Sequence, residues 1–201
     1  MVIIDPYFKD SSSDLPGQQT GPIPQVDIVM PYYWTTDDTR RAILASIIPI
    51  GAGVAGAAFI ARDKQINDVI NSSRKPHWAI KCKATHSAID ILTAAPLGYA
   101  SYLVYKNGGG FDYTDTTVAL TLYGANIGLA LTNIPLLKRS NFQCLFYNGL
   151  LVSGTAAATA YAFYKIDKHA GLWTLPYALW TVYYAALGYA TYKLNSPNKD
   201  A

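Results

Sequence analysis

Between Arg41 and Arg62 the chain runs for twenty residues, AILASIIPIGAGVAGAAFIA, without a charged side chain. At about 1.5 Å per residue, a helix over Ala42–Ala61 spans the roughly 30 Å of a bilayer's hydrocarbon core. A surface helix of a soluble bundle would carry a polar face at a 3.6-residue period, and this run has none. Pro49 removes one backbone hydrogen bond, which membrane helices tolerate when neighbouring groups satisfy the freed carbonyl. A chain holding such a run is organised around lipid.

Four more apolar runs of helix length follow, at about 84–105, 117–137, 142–166 and 170–194. The second contains His86, Asp90 and Pro96 and ends in the turn NGGGFDYTD, 107–115; Lys138 and Arg139 stop the third. The expected fold is therefore an all-α integral membrane protein, a five-transmembrane-helix bundle over residues 40–195. Residues 1–39 mix Pro, Ser, Gly and Asp without a sustained period and read as a disordered or loosely docked polar tail. Residues 196–201 form a short C-terminal tail, and residues 62–83 a long polar loop.

Composition agrees. The chain is 51% hydrophobic and 14% charged, against about 25% charged in soluble domains. A net charge of +3, scattered along the chain, gives no basic patch for nucleic acid. Cys82 and Cys144 allow one bridge at most, and neither has a Cys or His neighbour at metal-ligand spacing. The opening MVIIDPYFKDSSSD shows neither a cleavable signal peptide nor an Arg-rich transit peptide.

With five spans, the loop after the first, the loop after the third and the C-terminus lie on one side. They hold ten Lys and Arg, against six at Lys9, Arg40, Arg41, Lys106, Lys165 and Lys168 on the other. The positive-inside rule then places the C-terminus in the cytosol.

Several side chains stand out. His86 and Asp90, at i and i+4, share a helix face. The preferred reading places them near the interface, where His86 snorkels and Asp90 caps a polar contact. If buried, they would contact a polar ligand group such as a sterol hydroxyl or porphyrin propionate. Gly124-x-x-x-Gly128, with Thr121-x-x-x-Ala125 beside it, is a small-residue motif that suits either a dimer face or packing within the bundle. Leu187-x-Tyr189-x-x-x-Lys193 satisfies a proposed sterol-contact pattern, though a Tyr and a Lys also suit an ordinary interfacial belt. Trp180, Tyr184 and Leu187, at i, i+4 and i+7, line one face of the last span. No phosphate loop, Ser/His/Asp trio, HExxH or CxxC occurs, and catalysis, cofactor and metal have no visible machinery.

Five short patterns recur in order: Lys75-Pro76-x-Trp78, Leu97-Gly98-Tyr99-Ala100-Ser101-Tyr102, Leu120-x-Leu122-Tyr123, Leu150-Leu151-Val152-Ser153-Gly154 and Leu175-Pro176-Tyr177-x-x-Trp180. In this order and spacing, over about residues 42–195, the chain resembles the translocator protein family. The resemblance implies a five-helix membrane bundle with an apolar pocket that binds sterols or tetrapyrroles and opens towards the long first loop. It implies ligand contacts from Trp180, Tyr184, Leu187, Leu151 and Tyr177, a homodimer through the third span, and a place in the mitochondrial outer membrane. The chain departs from the family pattern where Ala79-Ile80 follows Trp78, where Cys144 and Asn148 stand in the fourth span, and where Gly188 follows Leu187. Light-dependent porphyrin breakdown and a pocketless scaffold acting through partner contacts are the alternative functions.

Overall fold

The computed structural model describes residues 34–80 and 82–195. The expected tail over 1–39 lies outside these up to residue 33, and the C-terminal tail from 196 onward does so entirely. The described residues form α1 (Thr36–Arg62), α2 (Lys64–Ser72), α3 (Lys83–Asn107), α4 (Thr114–Lys138), α5 (Phe142–Ile166) and α6 (Lys168–Asn195), with one 3₁₀ turn at Gly110–Asp112. No strand occurs among the described residues.

Two boundaries differ from the sequence reading. α1 begins at Thr36, ahead of the arginines, because Thr35 and Asp38 form a reciprocal cap. The Thr35 hydroxyl oxygen accepts from the Asp38 N–H at 3.2 Å, and the Thr35 N–H donates to Asp38 Oδ2 at 2.7 Å. The long loop is also not all loop: α2 makes six α-helices instead of five. Its one apolar face, Ile66, Val69 and Ile70, turns inward and leaves Ile66 0% exposed. Asp63 ends α1 and caps α2 at once, accepting from the Ile66 N–H at 3.3 Å and from Lys138 Nζ at 2.7 Å.

The five long helices form a ring in the order α1, α3, α6, α5, α4, with α5–α6 and α1–α3 packed most extensively. One end of the ring is solid. There Ala100, Leu103 and Val104 of α3 meet Ala119 of α4, Phe163 of α5 and Ala170 of α6. The exterior is apolar, with Ile48 65%, Leu92 73% and Leu179 70% exposed. α1 and α4 are long and apolar enough to cross a membrane, and only 6% of each apolar window is buried. The core helix of a soluble protein would be mostly covered.

Polar bonds join the helices from within. Asn126, 1% exposed, donates from Nδ2 to the Val152 carbonyl at 2.9 Å and to Thr155 Oγ1 at 2.7 Å, and its Oδ1 accepts from Tyr177 at 2.6 Å. Asn148 donates to the Leu129 carbonyl at 3.0 Å and to Asn133 at 2.8 Å. Ser153 donates to the Thr181 carbonyl at 2.8 Å. Where no water competes, such bonds fix the rotation of each helix. At the end away from the solid core, Arg74 and Asn195 exchange two bonds at 3.0 and 2.9 Å. Together with Lys138–Asp63, these gather the first long loop, the end of α4 and the end of α6 on one side.

The tightest approach is at Gly98. A Cβ there would lie 2.2 Å from Ser46 Cα and 2.7 Å from the Ala45 carbonyl oxygen. That carbonyl is the one Pro49 leaves without its helical donor, so the bare Gly98 backbone packs against the group the proline frees. Gly98→Ala is expected to destabilise detergent-purified protein by about 1–3 kcal/mol or more, the usual cost of overpacking, read as a lower melting temperature. Gly51→Ala, where a Cβ would meet nothing within 4 Å, is expected to leave it unchanged or raise it. Equal effects at the two sites would contradict the assigned contact.

At the solid end, Asp38 accepts from Lys106 Nζ at 2.6 Å and from the Tyr102 hydroxyl. Lys106 first, then Tyr102 and Thr35, hold its carboxyl well below the usual carboxylate range. The depressed value means that this contribution is complete above the unfolded carboxylate pKa of about 3.9. It is lost as pH falls from there towards the folded value. Asp38→Asn is therefore expected to lower the melting temperature at pH 7, with the gap to wild type narrowing on acidification below about pH 4. A gap independent of pH would contradict it.

Candidate ligand cavity

Away from the solid core the ring is hollow. A cavity of about 420 Å³ lies between the helices, within the range of small-molecule sites. Pro49, Gly53 and Gly56 of α1 form one wall; Ile127 and Ile134 of α4 and Gly149 and Val152 of α5 form the opposite one. α3 contributes His86, Asp90, Ala94 and Leu97, and α6 contributes Tyr177, Trp180, Tyr184 and Leu187. Ile70, Ser73, Lys75, Ile80 and Lys83 make the rim. Small residues on α1 and α5 keep the walls thin, while α6 supplies the rings.

The rings form a connected group. Trp180 and Tyr183 stack at 4.7 Å with an interplanar angle of 12°, and Tyr184 meets Trp180 edge-on at 5.4 Å. The His86 ring lies 5.8, 6.0 and 5.7 Å from Trp180, Tyr183 and Tyr184. Trp78 meets Tyr183 edge-on at 5.8 Å, and the Tyr183 hydroxyl oxygen accepts from the Ile80 N–H at 3.3 Å. Trp78 thus braces the ring group from the rim and is not itself among the lining residues.

Within this apolar wall sits one carboxylate, Asp90. Trp180 Nε1 donates to its Oδ1 at 2.6 Å, and the Tyr184 hydroxyl lies 3.0 and 2.9 Å from Oδ1 and Oδ2. The same hydroxyl lies 3.4 Å from His86 Nδ1. His86 and Asp90 are therefore joined through Tyr184. Both are half-buried in the cavity wall, and Asp90 lies seven residues, about 10 Å, along α3 from Lys83 at the rim. Asp90 was visible as an ionisable group in an apolar span, but its partners, 90 and 94 positions away, were not.

At the rim, burial pushes the Lys75 ammonium below its ordinary pKa, and the nearby Lys83 adds to this. Lys83 donates to Asn67 of α2 at 2.7 Å. The rim is thus basic, and the interior is mostly apolar with one carboxylate and a few neutral polar groups such as Asn133 and Thr181. Among the described residues, no group of three or more His, Cys, Asp or Glu gathers where a metal ion could be held.

The remaining expected site residues separate. Tyr177, Trp180, Tyr184 and Leu187 share the cavity face of α6. Leu151 does not join them. It is 58% exposed on the outside of α5, and its neighbour Val152 reaches the cavity instead. The sterol pattern is also split: Leu187 faces in, whereas Tyr189, 51% exposed, and Lys193 face out. Residues two apart on a helix point in different directions, so Leu187 and Tyr189 present no common surface. Thr121, Gly124, Ala125 and Gly128 are all exposed on α4, and added Cβ atoms at the two glycines would meet nothing within 4 Å. The small-residue motif is therefore not used inside the bundle. Asn126 and Tyr183 were missed; an Asn inside an otherwise apolar run was the available signal for the first.

Comparison with known proteins follows the same outline. A profile of the TspO/MBR family matches residues 45–193, from the first half of α1 almost to the end of α6. The translocator protein of Sus scrofa is 30% identical over 121 residues, covering 60% of this chain and 68% of that protein. The Homo sapiens translocator protein is 31% identical over the same shares, and translocator protein 2 of Mus musculus is 33% identical over 48% of this chain and 60% of its own length. The profile covers the ring and the cavity together, and the chain belongs to the TspO/MBR family of membrane proteins.

Proposed function

We propose that this protein is a five-span membrane protein that holds a lipophilic ligand, a sterol or a tetrapyrrole, in the cavity between its helices. The observation that carries the reading is the hollow half of the ring, mostly apolar in its lining, with Asp90 as its one carboxylate and aromatic residues of α6 along one wall. α1, α3, α4, α5 and α6 would be the spans, with α2 lying across the rim. Among the described residues, eight of the thirteen Lys and Arg lie on the rim side, so the positive-inside rule turns the cavity mouth and the end of α6 to the cytosol. By analogy with translocator proteins, the membrane would be the mitochondrial outer membrane. The exposed strip Thr121, Gly124, Ala125 and Gly128 fits a homodimer contact through α4.

Binding is the role these residues suit: the cavity wall offers rings, aliphatic side chains and an acid already engaged by Trp180 and Tyr184. Light-dependent porphyrin breakdown is a second reading, favoured only by the presence of Trp180 in the wall. Unchanged porphyrin absorbance under illumination would remove it.

The test is a binding panel of cholesterol, haem and protoporphyrin on protein in lipid nanodiscs, read by melting temperature and tryptophan fluorescence. At least one ligand is expected to bind. Trp180→Ala is expected to weaken that ligand about three- to tenfold, the usual worth of one aromatic contact. Absence of binding across the panel, or full affinity in Trp180→Ala, would contradict the reading.

A further inference from the structure

Asp90 raises a question that the cavity's shape does not answer. A carboxylate offers about four acceptor positions, and the two groups that reach it bring two protons, one from Trp180 and one from Tyr184. The Tyr184 hydroxyl is nearly equidistant from Oδ1 and Oδ2, at 3.0 and 2.9 Å, but its single hydrogen serves one oxygen at a time. Trp180 already occupies Oδ1 at 2.6 Å. Acceptor capacity is thus left over, chiefly on Oδ2, on a residue that borders the cavity.

Charge does not use up that capacity. Among the described residues no ion pair joins Asp90 to a Lys or Arg. The other ionisable groups on the cavity wall, besides the tyrosines, are His86, which Tyr184 separates from Asp90, and Lys75 and Lys83 at the rim. The surfaces of α1, α4 and α5 that complete the cavity contribute no charged side chain. Beyond Asp90 the cavity continues about another 10 Å along α3 to Leu97 and is apolar on that face. An under-used acceptor at mid-depth, with apolar space beyond it, has a defined chemical complement.

We propose that Asp90 makes the cavity selective for lipophilic ligands whose polar end donates a hydrogen bond, a hydroxyl being the simplest, over matched ligands whose polar end only accepts. The inference rests on the reading of the cavity as a ligand site and deepens it. A donor placed at Oδ2 completes the carboxylate's shell, whereas a carbonyl there meets only lone pairs. A ligand carboxylate would meet like charge at Asp90 and is better placed at the rim beside Lys75 and Lys83. Hydrogen bonds to charged groups in such sites discriminate by about tenfold or more.

Cholestanol and cholestanone share one carbon skeleton and differ in a hydroxyl against a ketone, so they isolate this contact. Titrated into nanodisc-embedded protein, cholestanol is expected to bind wild type about tenfold more tightly than cholestanone. In Asp90→Leu, Trp180 and Tyr184 lose their acceptor and become donors towards the cavity, so the preference is expected to vanish or to reverse. Asp90→Asn keeps one acceptor oxygen and is expected to retain part of the preference, which guards against a general loss of fold. Equal affinities in wild type, or an unchanged ratio in Asp90→Leu, would overturn the selectivity while leaving the ligand cavity standing. Failure of both sterols to bind wild type would overturn the selectivity for sterols and count against the sterol reading of the cavity as well.

Discussion

The contact between α1 and α3 at Gly98 is the constraint on which the rest of the structure depends. With Gly98 pressed against Ser46 and the Ala45 carbonyl, the two helices have no room for a side chain between them. The contact lies immediately beyond Leu97 and just before Pro49, the residues of α3 and α1 at the inner end of the cavity. On one side of it the ring closes into a packed core around Phe163; on the other, the cavity opens towards α2. A close approach at one level sets where hollow space can exist at another.

The hollow half is held by polar groups, because an apolar exterior offers little drive for helices to associate with one another. Asn126 ties α4, α5 and α6; Asn148 and Ser153 add further bonds; and Asp90 ties α3 to α6 through Trp180 and Tyr184. Lys138–Asp63 and Arg74–Asn195 then pin the rim. Each of these groups serves position first. Asp90 alone among them is a charged group bordering empty volume, which is why it bears on ligand choice and not only on architecture.

The helical ring was largely legible in the sequence, because a charge-free run such as Ala42–Ala61 leaves a chain few options. What the sequence concealed has physical causes. α2 is nine residues long and mostly polar, and its helicity depends on the Asp63 cap and on burial of Ile66 against distant residues. The inward turn of Asp90 rests on partners far along the chain, which periodicity cannot supply. Leu151 and Val152 are equally apolar neighbours, and only the packing of α5 between α4 and α6 decides that Val152 faces in. The sterol pattern matched as letters, but helical geometry divides its residues between inside and outside.

The most direct test of a ligand-holding cavity is to locate a bound molecule. A photoreactive sterol irradiated with the nanodisc-embedded protein, followed by peptide mapping by mass spectrometry, would do so. The account predicts labelling on α3 between His86 and Leu97 and on the Tyr177–Leu187 face of α6, suppressed by excess cholestanol. Labelling confined to outward residues such as Leu151 and Leu179, and insensitive to competitor, would contradict it.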